Sequence, residues 1–425
     1  MKVETLIVGG GVSGLATAAA LGPGADFLVL ERDSELGGYC KTVKLSGFTW
    51  DYSGHFFHFR HPSIEAWLKQ RMSGQTVRTI TKKSFIRYAG KDIDFPFQKN
   101  IHQLPAADFE ECVRGLERAA AAGATGPFKS FRQMLTARYG EGICDKFLIP
   151  YNEKLYATDL GKLDPGAMGR FFPHATPREI LQNAKQPDNR GYNDTFTYPE
   201  GGAIEYIYAL ARELDRKKFR LGEGLVGIDL EKKVARTSKG EYQFERLVSS
   251  APFPRLLEAC GLTAAPGVFT ANKVLVFNLG FSAKGPSGVH WLYFPDRARS
   301  FYRVGFYDNI FDDDRMSLYV ELGAPAGASL DIPALMERVL ADLRAEGIVT
   351  TQSLVAAHHV VMDPAYVHIN QASITEHQKQ SERLRQGGVH SIGRYGGWTY
   401  CSIEDNIVEA NALAKSFGAP GAFGL

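Results

Sequence analysis

Cysteine is scarce, net charge is small and long apolar runs are missing, and each shortage removes a class of protein. The five cysteines among 425 residues (Cys40, Cys112, Cys144, Cys260, Cys401) are odd in number and scattered, with no C-x-x-C pair. Neither a disulfide framework nor a zinc site is expected from them, and reduced thiols in a cytoplasmic protein are. Lys and Arg total 49 against 47 Asp and Glu. That balance argues against a nucleic-acid binder, which usually carries a basic stripe. No stretch reaches the ~18–20 apolar residues of a membrane span. Thr5-Leu6-Ile7-Val8 runs straight into glycines with no cleavage-type site after it, so no secretion signal is expected. Plentiful instead are glycine, at 44 residues, and aromatic side chains, at 12%. At roughly 100–200 residues per domain, the length allows two or three domains.

The chemistry begins at the first strand. Residues 4–9 read as buried strand and lead into Gly9-Gly10-Gly11-Val12-Ser13-Gly14, a G-x-G-x-x-G turn opening an Ala-rich helix. Phe27-Leu28-Val29-Leu30 then forms a second strand ending at Glu31. Gly9 makes the turn, Gly11 admits a pyrophosphate, and Gly14 lets helix and strand close together. The helix N-terminus, with Val12 and Ser13, faces the phosphates. Glu31 can accept hydrogen bonds from both ribose hydroxyls. The motif continues through Arg32, Gly37-Gly38 and Thr42, an extension typical of FAD-binding proteins rather than NAD dehydrogenases. Downstream, Val226-Gly227-Ile228 starts the segment that returns to the Rossmann sheet and touches adenine in two-domain FAD proteins.

The predicted fold class is α/β. It comprises a discontinuous Rossmann-like FAD-binding domain, a helical insertion domain and an antiparallel β-sheet domain. Residues 1–84 form the first FAD-domain part, 85–103 contribute sheet-domain strands and 104–186 are helical in period. Residues 187–266 return to the FAD domain. Residues 267–380 make the antiparallel sheet, from runs such as 274–279, 290–294, 301–306 and 317–322. Residues 381–425 close the FAD domain. One helix is expected over 143–155.

Several segments, in order, carry a resemblance: Gly54-His55-Phe56-Phe57-His58, Phe95-Pro96-Phe97-Gln98, Tyr151-Asn152-Glu153-Lys154-Leu155-Tyr156, Gly169-Arg170, Trp291-Leu292-Tyr293-Phe294-Pro295 with Phe301-Tyr302-Arg303, and Gly393-Arg394-Tyr395-Gly396-Gly397-Trp398-Thr399-Tyr400. This set resembles the UDP-galactopyranose mutase family, its eukaryotic-type branch more than the bacterial one. The resemblance implies a redox-neutral isomerase that interconverts pyranose and furanose forms of a nucleotide sugar, most simply UDP-galactose. Reduced FAD would be the nucleophile on the anomeric carbon, through N5. NADH, NADPH or a reductase would supply the electrons.

The resemblance also implies roles. Arg170 and Arg303 match diphosphate arginines, and Tyr293, Tyr366 and Tyr400 match phosphate-binding tyrosines. A departing diphosphate needs such guanidinium forks and hydroxyl donors. Phe95, Phe97 and Gln98 would form the uracil pocket, and Asn152 and Tyr156 would line ribose and diphosphate. His55 would pack on the flavin, with Arg394, Tyr400 and Asp405 also at the cofactor. Phe95 stands where eukaryotic members carry Tyr, and Tyr156 where they carry Trp. The stretch after Tyr400 lies closer to the bacterial pattern, with an acid there. A metal reading of His55, His58 and His61 has no pairing carboxylate and is not favoured. The alternative function is an FAD-dependent oxidase or desaturase of the amine-oxidase or protoporphyrinogen-oxidase type, which should show an apolar substrate cage instead.

Overall fold

A computed structural model describes residues 1–123, 126–186 and 194–425. Lys2–Val8 is the central strand of the first sheet. It pairs in parallel with Phe27–Glu31 on one side and Glu241–Ser249 on the other. Phe219–Leu221 extends the sheet beyond Phe27–Glu31, and Val389–Ser391 extends it beyond Glu241–Ser249. All five strands run parallel, as a Rossmann-type sheet requires, although they come from three distant parts of the chain. Strands buried on both faces read as apolar runs. Ile7 and Val29 join one core with the helices Val12–Leu21 and Ile403–Ser416. Leu6, Val8, Leu28 and Leu30 join another, with Phe253 and Leu256. An antiparallel hairpin, Leu225–Asp229 with Val234–Thr237, finishes this sheet on the near end of Glu241–Ser249.

The second sheet runs in the order Leu354–Met362, Thr270–Phe281, Ser317–Pro325, Arg303–Phe306, Trp291–Tyr293, Ser84–Tyr88, Lys91–Asp94. Val367–His368 also pairs with Thr270–Phe281. The sheet is not wholly antiparallel as expected, because Trp291–Tyr293 and Ser84–Tyr88 run parallel. Those two strands arrive from separate parts of the chain, so no hairpin dictates their direction. Alternation sorts their side chains. Leu292, Val304, Leu318 and Val320 face a core shared with the helix Ile332–Ala345. Trp291, Tyr293 and Tyr319 face the opposite core, shared with the helical segment.

That segment contains the helices Ala106–Ala122, Phe131–Ile143 and Ile149–Tyr156. The first two cross at glycines: a Cβ on Gly140 would stand 2.3 Å from the Gly115 carbonyl. The helix expected over 143–155 is present, with a widened turn at Cys144–Leu148 that leads without a break into Ile149–Tyr156. Gly140, at φ +72°, breaks the preceding helix just before it. The expected passage into the second FAD segment at 187 lies outside the described residues. All five cysteines are free. Among the described residues, no helix is long and apolar enough to cross a membrane.

Candidate active site

Two backbone loops face each other beside the first helix. A Cβ on Gly38 would stand 3.4 Å from Gly11 Cα, and one on Gly14 would stand 1.9 Å from Gly9 O. The first spacing sets the two loops backbone against backbone, with room between them for little more than one side-chain carbon, and the second explains why only glycine fits where helix meets strand. Buried Glu31 accepts from the N–H groups of Gly10 (2.7 Å) and Asp33 (2.9 Å). A carboxylate has about four acceptor sites, so capacity remains for ribose hydroxyls. Arg32 is exposed. Val226 is 66% exposed and lies two residues past Gly224, whose backbone packs on Arg32. This cradle fits a dinucleotide such as FAD.

Thr42 departs from its expected part. Its hydroxyl donates to Asp51 Oδ1 at 2.6 Å and accepts from Ile204 N–H at 3.1 Å. It fastens buried Asp51 rather than facing the cradle. Asp51 also accepts from Tyr198 Oη and Ala203 N–H, both at 2.9 Å. Burial outweighs these donors and raises its carboxyl to about 7.

Next to the cradle opens a cavity of about 740 Å³. The two are joined at Asn406, whose side-chain oxygen accepts from Ser13 Oγ and Arg394 N–H, each at 3.1 Å. Arg394 lines the cavity. Its guanidinium lies 4.8 Å from the Tyr400 ring centroid and donates to the Cys401 carbonyl, not to a carboxylate. Burial opposes its charge, yet the surrounding polar groups hold its pKa above the ordinary arginine value. Tyr366 stacks on Tyr400 at 5.9 Å.

The opposite wall is a row across three strands. Tyr293 pairs with Arg303, and Arg303 pairs with Glu321. Directly opposed side chains are neighbours on one sheet face, so Arg303 Nε meets Glu321 Oε2 at 2.6 Å. Glu321 is 1% exposed, and its other oxygen accepts from Ser53 Oγ. Burial disfavours the Arg303 charge, but Glu321 together with the surrounding tyrosines outweighs it, leaving the pKa well above the arginine norm. A second row, Trp291–Gly305–Tyr319, supports the first. A Cβ on Gly305 would stand 1.9 Å from the Tyr319 ring.

Arg170 enters from the helical side. It holds Asp405 at 2.7 Å to each carboxylate oxygen, and Asp405 also pairs with Arg60 at 2.8 Å. Asp405 thus fixes both arginines, and it also accepts from the N–H of Ser402, the N-cap of the helix Ile403–Ser416, at 2.8 Å. His55 lines the cavity with Nδ1 buried and without a protein partner. Burial, then the Arg394 charge, push its pKa down to about 4, so it is a neutral imidazole. His58 bonds Thr195 O at 2.7 Å and His61 faces Glu404 at 3.3 Å. Among the described residues, no group of three His, Cys, Asp or Glu could hold a metal.

Phe95 and Asn152 are on the wall, and Asn152 presents a buried, unpartnered Oδ1. Phe97, Gln98 and Tyr156 are not on it. Phe97 is fully buried against Phe147, and Tyr156 against Tyr366 and His368. The Gln98 amide, also fully buried, donates to Pro173 O. Sequence reasoning missed Glu321, Ser53 and Lys82. Lone Glu321 in the apolar run Ser317–Leu322 was the available signal, since a buried acid needs a partner. Lys82 lines the cavity, 5.2 Å from the Phe95 ring centroid, and burial lowers its pKa to about 8.

Residues 7–71 match a family model described as an NAD(P)-binding Rossmann-like domain. Over 54 residues the chain is 44% identical to an uncharacterized protein in the nifH2 3' region of Methanothermococcus thermolithotrophicus. That stretch is 12% of this chain and 52% of the other, so the match spans about half the length of the curated relative. Among solved structures, a reduced UDP-galactopyranose mutase superposes with a TM-score of 0.91 at 24% identity, covering 98% of this chain and 94% of that one. A candidate protoporphyrinogen oxidase from Exiguobacterium sp. 255-15 follows at 0.77 and 18%, with 98% of each chain covered. A putrescine oxidase bound to putrescine gives 0.69 and 16%, over 98% of this chain and 99% of that one.

Proposed function

From the fold of a UDP-galactopyranose mutase and this cation-lined cavity, we propose that the protein is a flavin-dependent isomerase. It interconverts the pyranose and furanose forms of a nucleotide sugar, most simply UDP-galactose. One observation carries the reading. Arg170, Arg303 and Arg394 converge with Tyr293, Tyr366 and Tyr400 on one cavity beside a dinucleotide cradle. Reduced FAD, when bound, supplies an electron-rich N5 to the anomeric carbon, and NADH or NADPH is the proposed reductant.

The chain's own residues do the rest. The net change exchanges a C1–O5 ring bond for C1–O4 and leaves no electrons over. The difficult charge is on the diphosphate as it leaves C1. Arg394, bonded to a carbonyl only, keeps its full charge toward the cavity. Arg303 is held rigid by Glu321, so its free N–H groups are aimed before substrate arrives, which is where electrostatic preorganisation acts. The tyrosine hydroxyls add neutral donors, and Asn152 Oδ1 offers an acceptor to a sugar hydroxyl. Held in place, the diphosphate can return to C1 after the ring recloses. The oxidase reading fits less well, because a protonated amine such as putrescine would face Arg394, whose guanidinium bonds a carbonyl rather than a carboxylate.

The test is an anaerobic assay of dithionite-reduced protein against UDP-, GDP- and dTDP-sugars, with chromatography of pyranose and furanose products. Conversion by the reduced protein, without peroxide, is expected. Equal conversion by oxidised protein, or peroxide with an amine and no isomerisation, rejects the proposal.

A further inference from the structure

Between Met362 and Val367 the chain leaves the second sheet and returns to it. Met362 stands opposite Val274 and Val367 opposite Ala271, so residues 363–366 loop out over Asn272 and Lys273. Tyr366, which lines the cavity, ends that loop. Its N–H finds no strand carbonyl, since Asn272 O is already taken by Ala365 N–H at 3.0 Å. A backbone donor in this position needs a side chain instead. Asn272 supplies it: Tyr366 N–H donates to Asn272 Oδ1 at 2.7 Å. Asn272 N–H in turn donates to Tyr366 O at 3.0 Å. The other arm of the amide reaches the helical segment. Asn272 Nδ2 donates to Leu155 O at 2.6 Å. Leu155 lies in the last turn of the helix Ile149–Tyr156, where carbonyls have no partner within the helix. His368 meets the next one, Tyr156 O, at 2.9 Å.

We infer that Asn272 is a positioning residue for the proposed reaction, on which this reading rests: it sets where the Tyr366 hydroxyl meets the diphosphate. Asn272 is fully buried and is not on the cavity wall, so it acts through its neighbours. Only one orientation of the amide fits, because a carbonyl stands at one arm and an N–H at the other. The helix it grips carries Asn152 on the cavity wall, and the loop it grips carries Tyr366. One side chain therefore ties the two walls together where sugar and diphosphate are to be held. An apolar residue of similar size would fill the space and leave Leu155 O and Tyr366 N–H without partners. The loop would then be free to shift, and a displacement of about 1 Å is enough to cost ~10²-fold in turnover.

A double-mutant cycle on the FAD-loaded protein tests it, with the dissociation constant of UDP read by titration calorimetry. Tyr366→Phe removes the hydroxyl and should weaken UDP binding about tenfold, the worth of one hydrogen bond to a charged group. Asn272→Leu should weaken it to a similar degree while flavin content stays unchanged. In the Tyr366→Phe background, Asn272→Leu should cost little more, because residues that act as a unit are not additive. A purely structural Asn272 would impose the same fold loss in both backgrounds. That result overturns the inference, as does unaltered UDP affinity in Asn272→Leu. If Asn272→Leu loses its flavin, Asn272→Asp runs the same cycle, since it keeps the shape and the acceptor for Tyr366 N–H and gives up the amide donor to Leu155 O. A native protein that does not bind UDP brings down the proposed function and this inference together. UDP binding with an additive cycle removes this inference alone.

Discussion

Removing Arg303 should produce two losses with different remedies. In Arg303→Ala, Glu321 stays 1% exposed and loses its guanidinium partner at 2.6 Å. Leaving one member of a buried pair costs about 3–5 kcal/mol. A chain this long has an unfolding entropy of roughly 0.9 kcal/mol/K, so the melting temperature should fall by about 3–6 °C. Turnover should fall by ~10²–10³, the usual effect of deleting one aimed donor. Now replace both partners, Arg303→Met with Glu321→Leu. The stranded charge is gone, and most of the lost stability should return, since an apolar pair of similar volume is often neutral or better. Turnover should not return. Calorimetry and the product assay on the three proteins separate the outcomes. A single mutant with unchanged melting temperature would refute the claim that the pair is a buried one. A double variant that recovers activity would refute the claim that the guanidinium acts on substrate.

Two further predictions follow from packing and titration. The Asp51 carboxyl titrates near 7 when folded, against 3.8 as its ordinary value, so the folded state binds the extra proton. Its contribution to stability is complete below about pH 4 and is lost as pH rises through about 7. The melting temperature of the native protein, relative to Asp51→Asn, should therefore decline between those values; a constant difference would contradict the assignment. Gly305→Ala should push a methyl into the Tyr319 ring, costing on the order of 1–3 kcal/mol from overpacking and reducing turnover. No effect of Gly305→Ala on either property would mean that the ring is free to move.

The first sixty residues were readable because everything in them is local. Strand, glycine turn, helix, strand and Glu31 follow one another within a few turns of chain, and each signal is a short-range steric or hydrogen-bonding demand. The sheet wall was half readable. Period-2 alternation sets Tyr293 against Leu292 and Arg303 against Val304 within their own strands, but that Tyr293 and Arg303 share a face, and that Glu321 lies opposite Arg303, depends on pairing across separate stretches. The turn at Phe97–Lys99 and the end of Ile149–Tyr156 were misread for a different reason. Residues two or four apart can share a motif while only one reaches the cavity. Phe95 and Asn152 do so, whereas Phe97, Gln98 and Tyr156 pack behind them. Thr42 was assigned by position in a motif, and the buried carboxylate nine residues later claims its hydroxyl instead.

The parallel pairing of Ser84–Tyr88 with Trp291–Tyr293 has a practical corollary. The wall that carries Tyr293 and Arg303 is stitched from pieces that precede and follow the helical segment. A gene fragment beginning after residue 103 would code for a wall with a missing outer flank and a raw, unsealed border beside Trp291. Dissection into expressible parts should therefore keep the early hairpin, by fusion or by co-expression, whenever the arginine-bearing half is wanted on its own.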